Sequence, residues 1–197
     1  MKDRELKLLP LGTSDFTALR IRDQIYVDKT ELIYQLARFP GKFFLSRPRR
    51  FGKSLLISIF ESLFKYGLRD FQGLAIERLW KEEKTYNVVR LDFSEIKPLE
   101  GIEQFKRDLK ELLISAFSPL GFEHNPLGAE IFRQLSTWMK SQLPNSLVLL
   151  IDEYDAPLTS CLNEMDLFNT VRERLSKFYA ILKSNDAALR FVFITGI

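Results

Sequence analysis

Apolar residues in this chain form two alternating kinds of run. Short, nearly continuous runs at residues 42–46, 87–93, 147–151 and 190–196 read as β-strands. In the third, Leu147-Val148-Leu149-Leu150-Ile151, every position is apolar. That pattern suits a strand covered on both faces inside a parallel sheet. Between the strands, apolar residues recur at helical spacing. A helix from about 53 to 66 carries Leu56, Ile59, Phe60, Leu63 and Phe64, and Gly67 is its stop. Another, over 102–117, carries Ile102, Phe105, Leu109, Leu112, Leu113 and Phe117 with charge opposite. Two more span 129–143 and 166–183. Strands alternating with helices predict an α/β sandwich around a parallel sheet.

Residues 1–40 read as a lead-in segment and 41–197 as the core domain. Within the lead-in, residues 24–27 are a candidate short strand. Asp28-Lys29-Thr30-Glu31 has the form of a capping box, with Asp28 as N-cap and Glu31 reaching back, ahead of a helix carrying Leu32, Ile33 and Leu36. Residues 68–86 hold a turn and a short helix containing Trp80, expected in the core.

Composition narrows the class. A chain of 197 residues, 46% hydrophobic with 17 Phe, is long and apolar enough for one domain with a sizeable core. The net charge of +3, from 29 basic and 26 acidic residues, is too balanced to argue for nucleic acid by itself. A single cysteine, Cys161, excludes an intrachain disulfide and suits a reducing compartment; it reads as a packed side chain. The only histidine, His124, lies in a polar loop, so a zinc site is not expected. Met1-Lys2-Asp3-Arg4-Glu5 lacks the apolar core of a signal peptide, and no apolar run reaches membrane-spanning length. A cytoplasmic location is the expectation.

The chemistry concentrates after the first strand, in Ser46-Arg47-Pro48-Arg49-Arg50-Phe51-Gly52-Lys53-Ser54-Leu55. Strand, basic loop, Gly-Lys-Ser and helix start make the layout of a phosphate-binding loop. Unpaired N–H groups and the helix dipole converge where a polyphosphate would sit. Lys53 would reach the β- and γ-phosphates, Ser54 would ligate Mg²⁺, and Gly52 would let the backbone approach. Residues Arg49 to Leu55 are therefore the candidate nucleotide-binding set. The usual pattern begins with a glycine five residues before the glycine of the Gly-Lys pair, and Arg47 stands there instead. A basic surface turn ahead of a core helix is the alternative reading.

The all-apolar strand ends in Asp152-Glu153, a Walker B pattern at the strand end where open α/β sheets bind ligands. Asp152 would hold Mg²⁺ through water beside Ser54, and Glu153 would polarise the attacking water. Neighbouring strand residues point to opposite sides, so the two carboxylates can take different tasks. The last strand ends in Thr195-Gly196; in this class of NTPases such a hydroxyl senses the γ-phosphate. Asp155-Ala156-Pro157 reads as an N-cap followed by an early proline. The cluster Arg47, Arg49, Arg50 and Lys53 also admits a nucleic-acid patch, or a solvated turn.

At this point the chain resembles a family. Leu9-Pro10-Leu11-Gly12, Asp15-Phe16, Tyr26-Val27-Asp28-Lys29-Thr30, the Phe44–Ser54 stretch, Leu91-Asp92-Phe93-Ser94, Ile151–Asp155 and Ile194-Thr195-Gly196 look like the AAA-ATPase-like domain of bacterial proteins, which often carry a C-terminal PD-(D/E)XK nuclease-like domain. The loop without the first glycine is part of that family's pattern. The resemblance implies a three-layer P-loop NTPase sandwich of the additional-strand type, sheet order 2-3-4-1, with a fifth strand beyond strand 1. It implies ATP and Mg²⁺ as ligands, with Lys53, Glu153 and Thr195 in catalysis and Ser54 and Asp152 at the metal. Adenine contacts the lead-in in related ATPases, which makes Phe16 and Tyr26 candidates alongside their role as core. The expected function is Mg²⁺-dependent ATP binding and hydrolysis that drives or switches an attached domain, a homo-oligomer or another partner; a regulatory module without turnover, or a nucleic-acid binder using the arginine loop, are the rivals. With strand 1 at the edge of four strands, the sequence further predicts that the chain is a fragment, or that another segment or subunit covers that edge. Residues 24–27 are a candidate cover.

Overall fold

The computed structural model describes residues 7–197, so the charged stretch Met1–Glu5 lies outside the described residues. Four strands are present: β1 (Gly41–Ser46), β2 (Asn87–Asp92), β3 (Leu147–Asp152) and β4 (Leu189–Gly196). Helices are α1 (Phe16–Ile21), α2 (Thr30–Ala37), α3 (Lys53–Tyr66), α4 (Ile76–Leu79), α5 (Ile102–Phe117), α6 (Ile131–Lys140), α7 (Ala156–Thr159) and α8 (Met165–Ser184). All pairings are parallel, in the order β1-β4-β3-β2, which is the expected 2-3-4-1 read from the other edge. Among the described residues no helix is long and apolar enough to cross a membrane.

The periodicity of the sequence explains the packing. Every residue of β3 is buried. Leu147, Leu149 and Ile151 enter one apolar cluster with α5, α6 and α8, whereas Val148 and Leu150 enter a second with α1, α2 and α3. Strand alternation sends successive side chains to opposite faces, so a strand central to both clusters must be apolar throughout. In the second cluster Phe60 packs against Phe191 and Phe193 at ring-centroid separations of 5.0 and 4.7 Å. Arg190 is buried there too. Its guanidinium donates to the Ala37 carbonyl and the Tyr86 hydroxyl and lies over the Phe64 and Tyr86 rings. Trp80 is buried, as expected, but caps α4 from just past its end.

The lead-in departs from expectation in three ways. Residues 24–27 form no strand: Gln24 N–H donates to Leu19 and Ile25 N–H to Leu8. They therefore do not cover β1, whose outer edge is unpaired among the described residues, with Phe44 56% exposed. Second, the lead-in contains a helix, α1, that no apolar periodicity announces; Asp15 caps it by accepting from Ala18 N–H, and it buries Phe16 and Leu19. Third, Asp28 and Glu31 form no capping box. Asp28 accepts from the backbone and hydroxyl of Thr30 and from Ala75 N–H, while Thr30 Oγ1 accepts from Ile76 N–H. The pair caps the start of α4 across the fold, which local spacing does not reveal.

Asp70 ties α1, α3 and the turn after α3 together. It accepts from Arg69, Thr17 and Ser62. The Arg69 hydrogen bond, ahead of those from Thr17 and Ser62, holds its carboxyl down at about 2 against burial. A pKa lower in the folded state gives stability that is full above the ordinary carboxylate range and is lost as pH falls through the folded value. The difference in Tm between wild type and Asp70→Asn should therefore be constant near neutrality and narrow between about pH 4 and pH 2, measured by circular dichroism. An unchanged difference across that window would remove this role from Asp70.

Candidate nucleotide site at the strand ends

The site begins where β1 ends. Arg47 N–H donates to the Gly196 carbonyl at 3.2 Å, extending the β1–β4 ladder by one residue. Arg47 does not take a positive φ, so a glycine is not required there. The left-handed positions of the loop are Arg50 (φ 67°) and Gly52 (φ 76°). A Cβ on Gly52 would meet open space, so glycine answers a conformational need at that position and not a lack of room. Gly52 is the N-cap of α3, and no side chain caps that helix; its first turn also lacks acidic residues. The opening N–H groups of α3 are left as donors at the positive end of the dipole.

Lys53 is not a solvated lysine. It is buried, and its ammonium donates to the Arg47 carbonyl at 2.8 Å and the Pro48 carbonyl at 3.1 Å. The side chain folds back across the loop and braces it. Arg49, Arg50 and Phe51 are exposed; Ser54 and Leu55 are half-buried at the first turn of α3.

The facing side of the site comes from β3 and β4. Asp152 is 1% exposed, and one of its oxygens accepts from the Thr195 hydroxyl and, at 3.2 Å, from Glu153 N–H. Its other oxygen accepts no hydrogen bond among the described residues. Thr195, the candidate phosphate sensor, therefore directs its proton to Asp152. Glu153 lies beyond the end of β3 with φ 49°, so strand alternation does not set its direction. The left-handed turn at Glu153 starts the tight segment Tyr154-Asp155. Asp155 precedes α7 but makes no side-chain cap; its carboxylate accepts from Ile197 N–H instead.

Gly196 makes this closeness feasible. A Cβ there would enter the van der Waals space of the Tyr154 ring and the Asp155 carboxylate. The sequence marked Thr195-Gly196 only by its place at a strand end. The need for glycine comes from a segment 42 residues upstream.

Phe16 is overturned as an adenine platform. It is fully buried, with centroids 5.3 Å from Tyr26 and 4.9 Å from Phe71. No ring face is open to a base. Tyr26 is half-buried, and burial pushes its phenol up to about 12. Cys161 is buried, its thiol pushed up by burial and donating to Pro157 carbonyl, in keeping with a packed side chain. His124 lies in a loop, as read.

Among the described residues no group of three or more His, Cys, Asp or Glu is arranged to hold a metal ion. The donors that the sequence assigns to Mg²⁺ are the Ser54 hydroxyl and the Asp152 carboxylate, both hard oxygen. No hydrogen bond joins them among the described residues. One hydroxyl and one carboxylate with a free oxygen fit an ion that keeps waters and takes its remaining ligands from phosphate.

A family model described as "Predicted AAA-ATPase" matches residues 10–197. An Azotobacter chroococcum mcd 1 protein described as "Uncharacterized protein in vnfD 5'region" is 32% identical over 201 residues. The alignment covers 97% of this chain and 37% of that protein, so the chain spans well under half the relative's length. No solved structure matches.

The site geometry gives a direct prediction. Gly196→Ala should destabilise the fold by about 1–3 kcal/mol through overpacking. Tyr154→Ala in the same chain should recover part of that loss. The check is a double-mutant cycle in urea; strict additivity would mean that the ring is not what Gly196 accommodates.

Proposed function

Because this chain belongs to the predicted AAA-ATPase family, we propose that it is a Mg²⁺-dependent ATP-binding domain that hydrolyses ATP to drive or switch an attached domain or partner. The observation that carries the reading is the pairing, at the C-terminal end of the sheet, of an uncapped helix start after a basic loop with a buried carboxylate whose second oxygen is free. The core would be residues 41–197 in a three-layer P-loop arrangement, with 1–40 as a lead-in. The unpaired outer edge of β1 would be covered by another segment or a neighbouring subunit.

In this reading the N–H groups of residues 52–55 receive phosphate oxygens, with Arg49 or Arg50 adding charge at the rim. Lys53 exchanges two neutral carbonyls for the β- and γ-phosphates, a stronger charge-assisted contact. Mg²⁺, when bound, neutralises phosphate charge and fixes its geometry. Ser54 and Asp152 are the residues that would hold it. Glu153 takes the proton of the attacking water, and Thr195 carries phosphate occupancy to Asp152 through the hydrogen bond it already makes.

The alternative is a regulatory module that binds ATP without turnover. Single-turnover hydrolysis separates a motor from a switch.

Lys53→Ala should weaken ATP binding tenfold to a hundredfold, about 1.5–3 kcal/mol, by calorimetry. Because Lys53 braces the loop, the variant should also melt lower, by about 1 kcal/mol. Equal ATP affinity in both proteins would remove the loop from the site.

Glu153→Gln should bind ATP as wild type does yet hydrolyse it about 10²–10⁴-fold more slowly. Asp152→Asn should lose Mg²⁺-dependent affinity along with turnover. Hydrolysis by Glu153→Gln at the wild-type rate would show that another group takes the proton. A wild type that binds ATP and leaves it intact, alone and with partner, would establish the switch.

A further inference from the structure

Asp92 closes β2 and has no place among the site residues described above. The sheet register supplies one. Asp92 is paired with Asp152 across β2 and β3, and Ile151 with Ile194 across β3 and β4, so Asp152 stands beside Thr195. Alternation fixes the face. Val88, two pairs of residues before Asp92, packs into the α3-side cluster, and Arg90 pairs with Glu61 of α3 at 3.2 Å. On β3, Val148 and Leu150 face the same cluster, as do Phe191 and Phe193 on β4. Asp92, Asp152 and Thr195 therefore form one row at the C-terminal ends of three adjacent strands, on the face where α3 begins.

Adjacent strands lie about 4.8 Å apart, so the two aspartates are neighbours across β2 and β3. The charges around them are spent elsewhere. Arg90 is matched by Glu61, and the Lys53 ammonium is bound to loop carbonyls. Asp92 uses one oxygen to accept from Ser94 N–H at 2.9 Å; its other oxygen has no hydrogen bond among the described residues. The corresponding oxygen of Asp152 is also free. Two open carboxylate oxygens on one row, one strand apart, form a place for a hydrated cation that neither aspartate completes alone.

We propose that Asp92 is a positioning residue for nucleotide-bound Mg²⁺, its free oxygen accepting from a water of the ion's shell beside Asp152. The proposal rests on the Mg²⁺–ATP reading of this site. It extends the metal-holding set onto β2, a strand that carries none of the residues already assigned. Asp92 touches the ion only through water, so its loss acts on metal affinity and not on the phosphate grip of Lys53 and the α3 N-terminus.

The test is Mg²⁺ titration of the binding of a non-hydrolysable ATP analogue, by calorimetry, in wild type and Asp92→Asn. Asparagine keeps the oxygen that accepts from Ser94 N–H, so the turn after β2 is preserved. Without Mg²⁺ the two proteins should bind the analogue alike. The Mg²⁺ concentration giving half of the affinity gain should rise about tenfold in Asp92→Asn, the lower range for loss of a group that orients a metal's ligands. Excess Mg²⁺ should restore wild-type affinity, which a purely structural defect would not allow. Asp92→Ser, which also keeps a cap for Ser94, should reproduce the shift should Asp92→Asn melt below wild type. Identical Mg²⁺ curves overturn the proposal, as does a loss of affinity equal with and without Mg²⁺. A wild type that binds the analogue with no Mg²⁺ dependence overturns the metal reading itself, and Asp92's role with it.

Discussion

A carboxylate at the end of an all-apolar strand must find donors or be expelled toward water, because burying it bare costs several kcal/mol. Asp152 finds two, the Thr195 hydroxyl from the neighbouring strand and the N–H of Glu153. Much of the surrounding geometry follows from that requirement. The Thr195 hydroxyl can reach Asp152 only if β3 and β4 are adjacent and in register, which the all-parallel pairing provides. The Glu153 N–H can turn back only if the chain leaves the strand at once, and Glu153 accordingly takes φ 49°. That turn throws Tyr154 and Asp155 against the end of β4, where only glycine leaves room.

The opposite wall of the site is positive and unsatisfied. The start of α3 has no side-chain cap and no acidic first-turn residue, so its dipole is not compensated locally. Four cationic residues lie in or next to the loop, and the one that is buried, Lys53, is held by carbonyl oxygens only. A cation satisfied by neutral acceptors gains when an anion replaces them. In the proposed reading, the carboxylates of Asp152 and Asp92 would take a cation of their own beside the phosphate. The two walls together suit a metal–polyphosphate pair better than either ion alone.

Much of this was legible in the sequence because it is periodic. The four strands and the long helices α3, α5 and α8 follow from apolar spacing, and α5 falls on residues 102–117 as read. The all-apolar run identified β3 as central. The features that were not legible depend on partners distant in sequence. Asp28 and Thr30 look like a local capping box, but they serve Ala75 and Ile76. Lys53 looks solvated by its neighbours, yet its ammonium finds carbonyls five and six residues back. Phe16 looks available to a base until Phe71 and Tyr26 close over it. Asp92 gains meaning only once the register sets it beside Asp152.

The arginine at the first position of the loop shows how such a departure can be accommodated. Glycine is needed where φ is positive or where backbone approaches closely. Here the first position follows directly on β1 and its N–H donates to the Gly196 carbonyl, and the positive φ falls later, on Arg50 and Gly52. Holding a non-glycine residue in the left-handed region costs about 1–2 kcal/mol. A loop under that strain keeps its shape because other contacts over-determine it: the Arg47 N–H on Gly196 at one end, the Lys53 ammonium across its middle, and α3 at the other. Gly196 is shared. Its carbonyl anchors the loop, its Cα abuts Tyr154, and its neighbour Thr195 holds Asp152. The loop that would grip phosphate and the carboxylate that would hold the metal are thus fixed to the same two residues of β4. Displacement of Lys53 from its carbonyls would loosen one anchor of a strained loop, while the Arg47 N–H on the Gly196 carbonyl still ties that loop to the end of β4.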